Sequence, residues 1–182
     1  MPDVERLSVR AAERRADAGG HRGAAAGDFC AQTEKEEVNM TVFIDADGCP
    51  VVDITVRLSK RAGVECVIIC DTSHVFEKDG AKTITVSTGN DSADFVLVNM
   101  IKKGDIVVTQ DYGLAAMCLA RVAVPVSQDG MVYTSDNING LLMQRHTAKK
   151  IRMSGGRLKG PSKRTVEQDA SFGRMLEKLL ED

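Results

Sequence analysis

The stretch FIDADGCP, residues 43–50, determines how the rest of the chain can be interpreted. An apolar, strand-like run ends at Asp45, and a second aspartate, Asp47, follows one residue later. Two carboxylates this close disfavour each other's ionisation. Three explanations are open: a bound cation, an aspartate that acts as a nucleophile, or capping of a helix that begins near Pro50, where proline is well tolerated.

Composition narrows the class of protein. A chain of 182 residues that is 43% hydrophobic predicts one domain with a substantial core. The net charge of −2 gives no bulk signal of nucleic-acid binding, so any such role needs local clustering of cations. The five cysteines include no CxxC pair, which favours reduced thiols in a cytoplasmic protein. No apolar run reaches the ~20 residues of a membrane span, and no signal peptide is evident.

The first 39 residues differ from the rest of the chain. They are rich in Ala, Gly and Arg and contain few large apolar side chains. Such a segment cannot bury much surface, so we expect a disordered extension outside the fold. Dense apolar patterning begins at Met40, which is also a candidate for the natural start. The predicted organisation is an extension over 1–39 and a single domain over 40–182.

From Met40 onward, strand-like and helix-like patterns alternate. This alternation predicts an α/β fold with a central, mainly parallel sheet of about five strands and helices on both faces. The predicted strands are 41–45, 64–70, 82–87, 105–110 and 123–127. The predicted helices are 50–63, 92–104, 112–122, 136–150 and a closing helix over 166–182, for which Thr165 and Gln168 have the spacing of a capping box.

Acidic residues follow three of the predicted strands. Ligands of parallel α/β sheets bind at the carboxyl ends of the strands, and carboxylate oxygens suit Mg²⁺ or Mn²⁺. Such ions can activate water and stabilise a phosphodiester during in-line attack. The predicted metal ligands are Asp45, Asp47, Asp91, Asp94 and Asp111. The predicted catalytic residues are Asp45, Asp47, Asp111 and Thr109.

Each of these aspartates has a structural alternative. Asp47, Asp91 and Asp111 could instead cap the helices that follow them, and Asp94 could interact with a helix dipole. Asp105 precedes its strand and is expected at the opposite edge, outside the site. Cys49 has no histidine near it in sequence, so a packed thiol is favoured over a nucleophile.

A second feature is a basic segment over residues 146–165, interpreted mainly as a loop. It contains seven Lys and Arg residues and no acid. Such a segment can be ordinary solvated surface, but beside a metal site it could hold a phosphate backbone. The predicted phosphate-binding residues are Arg152, Arg157 and Lys159. Because the chain has no Trp and few other aromatic residues, base stacking should not dominate binding.

Four stretches carry a resemblance to a known family. MTVFIDADGCPV, STGNDSADFVLVN, VVTQDYGLAAMCL and GGRLKGPSKRT resemble the YaiI/YqxD family of small bacterial proteins, over essentially all of residues 40–182. GNDSADFVLVNMIKKG followed by DIVVTQDYGLA is similar to the second half of a PIN-type nuclease domain. The resemblance implies a PIN-like fold, with metal ligands at Asp45, at Asp91 or Asp94, and at Asp111, supported by the Thr109 hydroxyl.

One departure from the PIN pattern bears on catalysis. PIN nucleases usually carry a further acid, often glutamate, in mid-domain, and this chain has no clear counterpart. Asp47 is the candidate substitute.

Three functions remain open on this basis. The first is a Mg²⁺- or Mn²⁺-dependent nuclease that acts on nucleic acid, RNA more than DNA. The second is a PIN-like module that binds nucleic acid or a nucleotide without catalysis. The third is a haloacid-dehalogenase-type phosphatase that uses Asp45 and Asp47, which is disfavoured because the acidic stretch GNDSAD precedes VVTQD instead of following it.

Overall fold

The structure is a computed structural model that describes residues 39–72, 77–87, 92–156, 160 and 163–181. Five strands and five helices alternate through most of this part of the chain. The strands are β1 (Thr41–Asp45), β2 (Glu65–Asp71), β3 (Lys82–Val86), β4 (Ile106–Val108) and β5 (Val124–Val126). The helices are α1 (Val52–Ala62), α2 (Ser92–Met100), α3 (Tyr112–Ala120), α4 (Ser135–Met153) and α5 (Val166–Glu181).

The five strands form one sheet in the order β3-β2-β1-β4-β5, and every strand pair is parallel. The predicted α/β fold is therefore confirmed, and the architecture is consistent with a PIN-like domain. The chain builds outward from β1 through β2 to β3, then returns to the other side of β1 as β4. The gap between the carboxyl ends of β1 and β4 is thus the topological switch point, where ligands of such sheets bind.

Side chains of β1 alternate between the two faces of the sheet. Val42 packs in one cluster with Leu58 of α1 and Phe172 of α5. Phe43 packs in another cluster with Leu97 of α2 and Leu114 of α3. The predicted helices on both faces are thereby confirmed. Asp45 lies two residues after Phe43 in the strand, so it is on the same face of the sheet, which α2 and α3 cover.

Local signals fix the ends of two helices. Gly63 ends α1 at φ 71°, a left-handed conformation that glycine adopts without strain, and its N–H donates to the carbonyls of Ser59 and Lys60. At the start of α5, the Thr165 N–H donates to Gln168 Oε1 at 2.9 Å, and the Gln168 N–H donates to Thr165 Oγ1 at 3.4 Å. The predicted capping box is present.

Helix α4 is longer than the sequence predicted. Helix α4 continues to Met153, three residues beyond the predicted end, so residues 151–153 of the basic segment are helical as well as the predicted 146–150. Ala148, Lys149, Lys150, Arg152 and Met153 have high helix propensity, which favours the continuation. The predicted extension lies almost wholly outside the described residues and stays a prediction. None of the helices in the described ranges combines the length and apolar character needed to cross a membrane.

Candidate functional site at the carboxyl edge of the sheet

A chain of hydrogen bonds crosses the switch point between β1 and β4. The Thr109 hydroxyl donates to Asp45 Oδ2 at 2.7 Å, and the Asp111 backbone N–H donates to Thr109 Oγ1 at 3.0 Å. Thr109 follows β4 and is fully buried, which fixes its hydroxyl between the two loops. Three of the four residues predicted to be catalytic, Asp45, Thr109 and Asp111, therefore lie together, and their catalytic roles stay a prediction.

Asp111 has two further sets of partners. Its Oδ1 accepts hydrogen bonds from the backbone N–H groups of Gly113, at 2.6 Å, and Leu114, at 3.3 Å, at the start of α3. The capping alternative for Asp111 is thus correct. The same carboxylate also accepts from Arg145 Nη1, which lies 2.8 Å from both of its oxygens. Capping and a cationic partner coexist on this side chain.

The two carboxylates differ in their electrostatics. Burial is the largest influence on Asp45 and raises its pKa; the Thr109 hydrogen bond opposes this, and the charges of Asp47 and Asp111 add to the increase. Burial also acts to raise the pKa of Asp111, but Arg145 and the cap N–H groups outweigh it, so that pKa is lowered. Asp45 is thus the carboxylate whose charge is poorly compensated within the site.

Asp47 does not cap α1. The N-cap residue of that helix is Val51, and no side-chain capping bond forms there. Asp47 Oδ1 instead lies 3.5 Å from the backbone nitrogen of Asp71, which follows from β2 being the neighbour of β1. Its charge contributes to the raised pKa of Asp45, so the two aspartates of the opening stretch interact.

Asp94 stands in the first turn of α2, on the face to which Asp45 belongs. Both charges act on the buried thiol of Cys118, whose pKa is raised to about 12 mainly by burial. Asp94 and Asp45 thus both interact electrostatically with the same thiol. Asp91 lies outside the described residues.

The described part of the chain contains no group of three or more His, Cys, Asp or Glu side chains arranged to hold a metal ion. Asp91, a member of the predicted ligand set, lies outside the described residues. The donor chemistry nevertheless suits a hard cation, because Asp45 and Asp111 present carboxylate oxygens at the ends of adjacent strands. The metal site stays a prediction.

Three residues that make contacts at this edge, Gln110, Tyr133 and Arg145, were not predicted from the sequence. Gln110 Nε2 donates to the Gly48 carbonyl at 2.8 Å and ties the loop after β4 to the loop after β1. The Tyr133 hydroxyl, buried behind the site, donates to the Thr109 carbonyl at 3.4 Å. Arg145 precedes the basic segment by one residue. It lies within the predicted helix 136–150, where helical periodicity groups it with Lys149 and Arg152, at spacings of four and three residues on one face.

The basic segment is only partly available to a ligand. Arg152 is exposed in the last turn of α4, while Arg157 and Lys159 lie outside the described residues. Arg164 has a structural role. Its guanidinium donates to Asp169 Oδ1 at 2.6 Å, to Asp129 Oδ1 at 2.9 Å and to the Gln128 carbonyl at 2.7 Å.

Cys49 and Asp105 both lie where the sequence predicted, Cys49 as a packed thiol and Asp105 outside the site. Cys49 is half-buried, and burial raises its pKa to about 11, which favours a packed thiol over a nucleophile. Cys66 and Cys70 are buried in β2. Asp105 precedes β4, at the edge opposite the site, as predicted.

Comparison with known proteins identifies the family. The model of the family described as "Uncharacterized BCR, YaiI/YqxD family" matches residues 43–182. This chain belongs to the YaiI/YqxD family. The predicted resemblance is thereby confirmed, and the match spans Asp45, Thr109, Asp111 and Arg145.

Curated members of the YaiI/YqxD family extend this result. A UPF0178 protein of Exiguobacterium sibiricum is 54% identical over 141 residues, which cover 78% of this chain and 96% of that protein. A UPF0178 protein of Clostridium acetobutylicum is 41% identical over 143 residues, which cover 78% of this chain and 97% of that protein. No solved structure gives a significant match. These names state no reaction.

Proposed function

We propose that this member of the YaiI/YqxD family is a divalent-metal-dependent nuclease that hydrolyses phosphodiester bonds, in RNA more readily than in DNA. The observation that carries the proposal is the hydrogen-bonded connection from Asp45 through Thr109 to Asp111 across the switch point. A fold with this strand order binds its ligands at that point. The residues there are acids, as expected for a site that holds a hard cation.

The residues have separable roles in this proposal. Asp45 and Asp111 would hold Mg²⁺ or Mn²⁺, with Asp47 replacing the missing mid-domain acid and Asp91 or Asp94 completing the set. The metal would supply the charge that activates water and stabilises the phosphate during hydrolysis. Thr109 orients Asp45 by donating its hydroxyl to Oδ2. The raised pKa of Asp45 supports a site that lacks a compensating positive charge.

Cations on α4 supply the means to hold a nucleic-acid backbone. Arg145, Lys149 and Arg152 are exposed and share one face of the helix, beginning beside Asp111. Guanidinium groups suit phosphate oxygens because their donors match the spacing of those oxygens. Contacts of this kind bind backbone and not base sequence, so we expect little sequence preference from this row.

A second candidate is a nucleic-acid-binding module without catalysis. It is favoured by the Arg145 ion pair, which already neutralises Asp111, and by the missing group of three ligands within the described residues. The two candidates make different predictions about metal binding.

The experiment is a Mn²⁺ titration of thermal stability with wild type, Asp45→Asn, Asp111→Asn and Asp79→Asn. Asp79 is an exposed aspartate paired with Lys60, remote from the site, and serves as the matched control. At a Mn²⁺ concentration of about 100 times Kd, the melting temperature of wild type and control should rise by roughly 5–10 °C. The two site variants should show less than half that rise and lose cleavage of a short oligouridine.

Two results would reject the nuclease. Equal Mn²⁺ stabilisation of all four proteins would place the ion elsewhere. Oligouridine binding without Mn²⁺ stabilisation or cleavage would favour the non-catalytic module.

A further inference from the structure

Arg145 lies where a cation ligated by Asp111 would lie. A single nitrogen, Nη1, is 2.8 Å from both carboxylate oxygens, so the positive charge sits symmetrically between them. A bidentate metal ion occupies the same direction from a carboxylate, at a shorter distance of about 2.0–2.6 Å. Arg145 and a metal ion at this position are therefore mutually exclusive partners of Asp111.

The fold does not depend on this ion pair. Asp111 already satisfies the start of α3 through the N–H groups of Gly113 and Leu114. The Arg145 side chain is 52% exposed, and exposed pairs contribute little to stability. Arg164, by contrast, is 19% exposed and has three partners. Arg145 is thus a cation that can change partners at low cost.

Packing nevertheless keeps Arg145 beside the site. Helix α4 contacts α3 through a cluster that contains Ala115 of α3, Ile138 of α4 and Tyr133. This cluster is formed by the first turns of α4, so Arg145 lies just beyond the anchored part of the helix. Released from Asp111, its guanidinium would remain at the edge of the site and in line with Lys149 and Arg152.

We propose that Arg145 is an internal cation that neutralises Asp111 in the metal-free protein and transfers to a substrate phosphate when a divalent ion takes the carboxylate. This inference rests on the proposed function, because it needs a metal at Asp111. It makes metal binding and oligonucleotide binding cooperative, since each ligand favours the state in which the pair is broken. Arg145 would thereby bind substrate only when the site is loaded.

The first measurement is Mn²⁺ affinity by calorimetry, without substrate, for wild type, Arg145→Gln and Arg121→Gln. Arg121 ends α3 and contacts Asn99 Oδ1 at 3.4 Å, so its replacement removes the same charge away from Asp111. Arg145→Gln should bind Mn²⁺ about fivefold more tightly, because a competing exposed pair is removed. Arg121→Gln should match wild type.

The second measurement is the affinity for a short oligouridine with and without Ca²⁺. In wild type, Ca²⁺ should increase the affinity for the oligouridine. In Arg145→Gln, this Ca²⁺-dependent increase in affinity should be about tenfold smaller, because a charge-assisted contact with phosphate is lost. Arg145→Lys should restore part of it, because a lysine keeps the charge but not the forked geometry.

The outcomes separate the two proposals. Equal Mn²⁺ affinity in wild type and Arg145→Gln overturns the exchange while leaving the metal site intact. Tighter Mn²⁺ binding with unchanged Ca²⁺-dependent oligouridine binding overturns the transfer to phosphate. Failure of both proteins to bind Mn²⁺ overturns the proposed function and the exchange with it.

Discussion

Asp105 and Asp111 lie at opposite edges of the same sheet and are held in different ways. Asp105 is 3% exposed; its Oδ1 accepts from the Thr41 N–H at 3.0 Å and its Oδ2 from the Lys102 N–H at 2.6 Å. Asp111 also accepts backbone N–H groups, but it is partly exposed and shares its carboxylate with the Arg145 side chain. Both oxygens of Asp105 serve the fold, whereas Asp111 has a partner that can leave.

This difference indicates how to separate structural from functional aspartates in the molecule. A buried carboxylate with only backbone partners cannot give up an oxygen without leaving an N–H unsatisfied. A carboxylate with a side-chain partner at the surface can exchange it for a metal ion or solvent. Residues at the amino ends of the strands (the amino edge), such as Asp105, should therefore contribute mainly to stability. Residues at the carboxyl ends (the carboxyl edge), such as Asp111, should contribute mainly to ligand binding.

The largest expected effect comes from Asp105→Asn. An amide has one acceptor oxygen, so its NH₂ group would face one of the two N–H donors. We expect a loss of about 2–3 kcal/mol in the free energy of unfolding, measured by urea denaturation. Asp111→Asn should lose less than about 1 kcal/mol, because asparagine caps helices well and exposed pairs contribute little. Equal losses in the two variants would remove the distinction between the edges.

The sequence could predict the fold because its signals are local. Continuous apolar runs such as VECVIIC mark buried parallel strands, and the Thr165–Gln168 spacing marks the start of α5. The placement of Asp45 and Asp111 at one edge also follows from local information, since Asp45 ends β1 and Asp111 lies shortly after β4 in a parallel sheet. The same reasoning could not predict the partner of Asp47. This residue does not cap α1 but lies near the backbone nitrogen of Asp71.

The partners of the site could not be predicted in this way. The Arg145–Asp111 pair joins residues 34 positions apart and depends on how α4 packs against α3. The partners of Arg164 are a second example. Its position between Asp129 and Asp169 is set by the packing of α5 near the turn after β5. Side-chain pairing across elements follows tertiary packing and not local pattern.

A second prediction concerns strain at the amino edge. Val122, between α3 and β5, has φ 60°, a left-handed conformation that is unfavourable for a β-branched residue, and its side chain is 60% exposed. Asparagine tolerates this conformation, so Val122→Asn should raise the free energy of unfolding by about 1 kcal/mol. Val122→Ala is the matched control and should gain less. A loss of stability in Val122→Asn would show that the strain is absent or offset by contacts of the valine.

The smallest effect at neutral pH should come from Tyr133→Phe, beneath the carboxyl edge. Its hydroxyl bond to the Thr109 carbonyl is long, at 3.4 Å, so the loss should be under about 1 kcal/mol at pH 7. Burial raises the pKa of Tyr133 from 10.0 to about 12, with Tyr112, Asp129 and Asp111 adding to the increase. The unfolded chain therefore ionises this group first as pH rises.

The sign of the pH dependence follows from that order. The contribution of Tyr133 is fully present below pH 10 and is lost between pH 10 and about 12, because ionisation in that window favours the unfolded chain. At pH 11, wild type should have lost about 1 kcal/mol that Tyr133→Phe does not lose, measured by urea denaturation at each pH. If the two proteins lose stability in parallel above pH 10, Tyr133 is not a buried neutral support for the Thr109 loop. The carboxyl edge would then be less enclosed than the bond to Thr109 implies.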